Sequence, residues 1–139
     1  MLILGLTSVD MKAQEPENQI EVICAMKDKA FTERYQGDFN KAEKTLLQAL
    51  NIFSMQPENL QSEYQMVEAD IYYTLARYYS LNNKANDSIK ALRKAVNLGW
   101  NNYNFLAMDS ELVKIRKTKA FQSIMEELRV RNTQFADNK

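Results

Sequence analysis

The chain has 139 residues, 45% of them apolar, with only three Gly, two Pro, one Cys and no His. That is one domain with a modest core and few helix breakers, and it excludes a disordered chain, an intrachain disulfide and His-based metal or acid–base chemistry. Net charge is zero but polarised: residues 1–70 carry 12 acids against 6 bases, a balance of −6, and residues 71–139 carry 6 acids against 12 bases, a balance of +6.

Met1–Val9, MLILGLTSV, is too short an apolar run to span a bilayer. With the abrupt polar shift after Ala13, it reads as the back half of a secretory signal peptide that has lost its basic front end. Residues 1–17 are therefore expected to be a signal remnant and polar linker, 18–131 a helical domain and 132–139 a polar tail. The expected location is exported or periplasmic, with a cytoplasmic protein as the alternative. Ile23 precedes Cys24 where lipid attachment would need a small residue, and with no His and no second Cys, Cys24 is expected as a small buried side chain, with a cross-chain disulfide as the alternative for an exported protein.

Helical spacing then takes over. Asn18–Gln36 is predicted as a first helix through Ile20, Ile23, Cys24, Ala30, Phe31 and Tyr35, closed by Gly37. Asp38 caps a second helix, Phe39–Met55, with Ala42, Leu46, Ala49, Leu50 and Phe53 on one face. Pro57 opens a long third helix, Glu58–Asn82, striped by Leu60, Tyr64, Val67, Ile71, Leu75 and Tyr78. Asn82-Asn83 ends it, and Ala85–Leu98 forms a fourth helix that Gly99 closes. An aromatic segment, Trp100–Leu106, is expected to make one or two turns. Asp109 caps a short helix with Leu112 and Ile115, and Thr118 caps a last helix, Lys119–Arg131.

Displaced by 46 residues, the chain overlies itself. Ala30 falls on Ala76, Gly37 on Asn83, Ala42 on Ser88, Leu46 on Leu92, Ala49 on Ala95 and Leu50 on Val96. Small residues meet small and large apolar residues meet large, which predicts two helical hairpins of one design. The expected class is all-α.

GDFNKAEKTLLQAL and LARYYSLNNKANDSIKALRKAV, carrying Gly37, Asp38, Phe39, Ala42, Ala49 and Leu50 and then Ala76, Ala95 and Val96, resemble tetratricopeptide repeats. Asn83-Lys84-Ala85 departs from the family's turn, and Ser88 stands where it has Ala. Gly99–Leu128, with Asp109, Leu112, Ile115, Arg116, Phe121 and Ile124, resembles a capping module that follows such repeats in bacterial proteins. The resemblance implies an α-α superhelix of two hairpins with short C-terminal capping helices. It also implies a concave groove that binds a protein or peptide, faced by Lys27, Phe31 and Arg34 from one hairpin and Asp70, Tyr73 and Arg77 from the other. The expected function is a non-catalytic binding module of an exported bacterial protein. The alternatives are a structural subunit self-associating through its repeat faces, with a homodimer as one such form, and, less favoured, an enzyme or its accessory subunit. No cofactor, metal, nucleic acid or integral membrane segment is expected. The charge asymmetry has two readings: solvated helix surfaces, or a basic half that meets an anionic partner or the acidic half of another copy. Lys114, Arg116, Lys117 and Lys119 form a basic cluster within that half, and Arg116 has a structural reading through the module.

Overall fold

The computed structural model describes the backbone of residues 2–137 and the side chains of residues 19–134. Among the described residues the chain is all-α, with no strand. Helices α1 (Leu2–Tyr35) and α2 (Phe39–Ser54) pack against each other, as do α4 (Gln65–Leu81) and α5 (Ala85–Asn97). Helix α2 lies against α4 and joins the two hairpins. Between them sits short α3 (Glu58–Glu63), and α6 (Tyr103–Met108), a 3-10 turn (Ser110–Leu112) and α7 (Lys119–Asp137) complete the chain.

The turns follow local chemistry. Gly37 and Gly99 take φ of +83° and +111°, a region that side chains with a Cβ avoid, and Asn83 takes φ +62° at the equivalent point of the second hairpin. The Asp38 carboxylate accepts the Lys41 N–H at 3.1 Å and caps α2. The Thr118 hydroxyl accepts the Phe121 N–H at 3.1 Å and caps α7.

Most residues that overlie at a spacing of 46 are buried in both hairpins. Ala30, Ala42 and Ala49, with Ala76, Ser88 and Ala95, are fully buried where the paired helices meet, and Leu46 and Leu92 fill the space between them. Ser88 resolves its own polarity, since its hydroxyl donates to the Ala76 carbonyl at 2.6 Å.

Four expectations are corrected. The predicted first helix began at Asn18, whereas α1 begins at Leu2; the side chains of the proposed signal remnant lie outside the described residues. The predicted third helix divides at Tyr64 into α3 and α4. Helix α7 runs past Arg131 to Asp137. Cys24 is exposed, because Ile20, Ile23 and Ala30 define the buried face of α1 and leave Cys24 on the flank that also carries Phe31 and Tyr35. No described helix is long and apolar enough to cross a membrane.

Candidate functional site

The six residues predicted to face the groove fall on two neighbouring helices, Lys27, Phe31 and Arg34 on α1 and Asp70, Tyr73 and Arg77 on α4. Contacts between these helices put the two sets side by side. The Lys27 ammonium lies 3.8 Å from the Asp70 carboxylate. Phe31 sits between Lys27 and Arg34 on one face of α1, four residues from the first and three from the second. It is 56% exposed and its ring lies 4.5 Å from that of Tyr35.

The other half of the site comes from α6 and the 3-10 turn. Left-handed Gly99 and the Trp100 N–H bond to the Ala95 carbonyl (3.0 Å) close α5 and turn the chain back over α4. The Trp100 ring then stacks on Tyr73 with centroids 3.9 Å apart and planes 8° from parallel. Asn102 caps α6 by accepting the Phe105 N–H at 3.0 Å, which sets Phe105 beside Tyr73, 5.8 Å between centroids. Beyond it, Met108 projects 83% exposed.

An acidic pair in the 3-10 turn decides what the groove cations do. Asp109 is buried. It accepts the Tyr73 hydroxyl at 2.7 Å and the Glu111 N–H at 3.0 Å, and Arg77 Nε lies 3.0 Å away as an ion pair without the alignment of a hydrogen bond. Glu111 pairs with both Arg34 and Arg77. Arg116 donates to the carbonyls of Leu106, Ala107 and Asp109 and so fastens the whole segment. Burial, the hydrogen bond to Asp109 and that carboxylate's charge push the Tyr73 hydroxyl far above the usual phenol range, with the nearby Arg77 opposing them.

The six expected residues therefore divide. Tyr73 is 4% exposed and belongs to the interior, not to a surface that a ligand could reach. Arg34 and Arg77 lie in the groove, but both are already neutralised by the chain's own Glu111 and Asp109. Phe31 and the exposed edges of Lys27 and Asp70 remain accessible. Residues not expected at the site, Asn102, Asn104, Phe105, Met108 and Ser110, join Arg77 and Asp109 around an open cavity of about 550 Å³.

Comparison with family models, with curated proteins and with solved structures finds no match. The site is therefore read from its own geometry. Among the described residues no group of three Cys, Asp or Glu side chains is placed to hold a metal ion. The accessible surface of the cavity consists of the Phe105 ring, the Met108 thioether and side-chain amides, and the exposed Phe31 ring lies on neighbouring α1, outside its lining. Such a surface can pack apolar side chains and hydrogen-bond a peptide backbone.

Asp109 and Glu111 were legible only as a cap. Glu111 pairs with Arg34 and Arg77 across 77 and 34 residues and Asp109 with Arg77 across 32, and no periodicity links positions so far apart. The one signal near them was Arg116, given a structural reading through the resemblance, and its guanidinium does hold the carbonyls of Leu106, Ala107 and Asp109.

Proposed function

We propose that the protein is a non-catalytic, tetratricopeptide-like module of an exported bacterial protein, and that it binds an extended peptide across the groove between α1 and α6. The observation that carries the reading is an open cavity of about 550 Å³ whose lining includes the exposed apolar side chains Phe105 and Met108; Phe31, exposed on neighbouring α1, would extend that apolar surface. The ligand is a neutral or apolar segment, because Arg34, Arg77 and Lys27 each have an acidic partner within the chain. A carboxylate ligand would have to displace Glu111 from its two arginines. Export rests on the apolar start at Met1–Val9 and the polar shift after Ala13.

The single cysteine provides the test. Cys24 lies two turns before Phe31 on the same flank of α1 and is exposed, so a dye attached there reports on the groove. An array of defined peptides probed with the labelled protein is expected to select apolar sequences over acidic ones. Met108→Asp or Phe31→Asp should weaken the selected peptides about tenfold or more, as hot-spot loss of 1.4 kcal/mol or greater does. Undiminished binding by both variants, or selection of acidic peptides, would overturn the assignment.

A further inference from the structure

We infer that the protein associates head to tail with further copies of itself, the basic turn 113–119 of one molecule docking on the acidic α3 end of the next. The topology puts these two features at opposite poles. The turns after α1 and α4 lie at one pole, and the Lys114 ammonium donates there to the Asn83 side chain (2.6 Å) and more weakly to the Leu81 carbonyl (3.4 Å). The ends of α2 and α5 lie at the other. There Gln61 bonds the Ser54 carbonyl at 3.1 Å, and Gln65 bonds the Leu98 carbonyl at 2.7 Å. Helix α4, of 17 residues, runs between the poles and separates them by about 25 Å. That is more than two screening lengths in ordinary salt, so the opposite charges at the poles do not neutralise each other within one molecule.

Elsewhere the chain does neutralise itself. Glu43 takes Lys84, Glu33 takes Lys41, Glu111 takes Arg34 and Arg77, and Glu127 takes Arg93 and Arg131. Charges of both signs are left over, Asp38 and Asp87 near the first pole and Lys94 near Glu68 among them, but the charged side chains of segment 113–119 are all basic and those of α3 all acidic. Lys114, Lys117 and Lys119 are exposed at one pole with no acidic side chain within 4 Å among the described residues. Glu58 and Glu63 are exposed at the other, and Glu68 beside them is half-buried; all three lack a basic side chain within that distance.

Each charged pole also exposes apolar surface. Val113 is 62% exposed beside the lysines, and Met55 (68%) and Met66 (50%) flank the glutamates. A second copy thus offers the basic turn an acidic helix and the acidic helix a basic turn, with apolar side chains to bury on both sides. Because the two surfaces differ, the contact is heterologous, and one copy leaves both outer poles open. The assembly therefore grows as open chains instead of stopping at a two-fold dimer.

Sedimentation velocity on the full chain tests this. Average mass should rise with concentration without a plateau at low salt, and the association should weaken about tenfold or more on going to about 0.5 M salt, where screening shortens to a few ångströms. Lys117→Glu with Lys119→Glu makes both poles acidic, and Glu58→Lys with Glu63→Lys makes both basic. Each double variant alone should remain monomeric. Mixed together they should assemble again, since every pole then meets one of opposite sign, and that recovery also shows that the reversals have not unfolded the protein. A monomer at every concentration, a dimer plateau, association indifferent to salt, or no recovery on mixing would each overturn the proposal.

Discussion

Tyr73 concentrates the chemistry of the site in one side chain. It has an indole face, a buried carboxylate and a neighbouring guanidinium within reach, and its hydroxyl donates to Asp109. Burial comes first among the causes that raise its pKa, followed by the hydrogen bond to Asp109. The sign of the pH effect follows. A phenol whose folded pKa lies above its unfolded value of about 10 keeps its proton in the native state while the unfolded chain loses it. The stability it contributes is therefore complete below about pH 10 and declines as pH rises above that, toward the folded value. Thermal unfolding of the wild type between about pH 8 and pH 11 should show this alkaline loss, and Tyr73→Phe should make it shallower, while Tyr72, Tyr78 and Tyr79, also raised chiefly by burial, keep the remainder. At neutral pH the same variant should lose about 1–3 kcal/mol, because Asp109 remains buried with one donor fewer. An alkaline limb of equal slope in both proteins would show that Tyr73 does not couple folding to pH.

At the scale of elements, the hairpins were legible because small and large residues recur at a spacing of 46, and packing obeys that recurrence directly. Ala30 and Ala76, or Leu46 and Leu92, occupy equivalent places in the core. The break at Tyr64 was not legible. The stripe from Leu60 to Tyr78 has unbroken helical spacing, and Tyr64 is not a breaker by its intrinsic preference. What divides the helix is side-chain anchoring on either side, near in sequence for Gln61 and distant for Gln65. Gln61 donates to carbonyls at the end of α2 (Ser54 at 3.1 Å, Gln56 at 2.8 Å), while Gln65 donates to the Leu98 carbonyl at the end of α5. Two glutamines four residues apart are thus tied to different hairpins, and local spacing cannot register such ties. Phe31 and Tyr35 fit the helical spacing of α1 but are exposed, because α2 covers the side of α1 that carries Ile20, Ile23 and Ala30. Gln61→Ala should release α3 from α2. Its amides, Glu58–Glu63, should then exchange with solvent about tenfold faster while those of α4 keep their protection, as local opening requires. Equal acceleration in α3 and α4 would mean that the two behave as one helix.

Across the whole molecule, the C-terminal segment is as much a part of the core as the hairpins are. Leu106, Leu112, Ile115, Phe121, Ile124 and Leu128 are all buried, and Trp100 stacks at the junction between this segment and α4. Charges cross the same boundary: Glu111 pairs with Arg34 of the first hairpin, Arg77 of the second pairs with Asp109 and Glu111, and Glu127 pairs with Arg93. If the segment leaves, Arg34 and Arg77 lose their acids and α4 loses its cover, so neither part keeps its native surroundings without the other. The two parts should therefore unfold as one cooperative unit. Arg116 is the point at which to probe this, since it donates to three carbonyls of the α6 and 3-10 stretch and makes no ion pair with the hairpins among the described residues. Arg116→Gln should cost about 3 kcal/mol through the loss of charge-assisted hydrogen bonds to buried backbone. The protein has a single tryptophan, so Trp100 fluorescence reports the junction, while far-ultraviolet circular dichroism reports all the helices together. Both denaturation curves should shift by the same amount and remain superimposed. A fluorescence transition that moves ahead of the helical one would instead show that the C-terminal segment docks on hairpins able to stand alone.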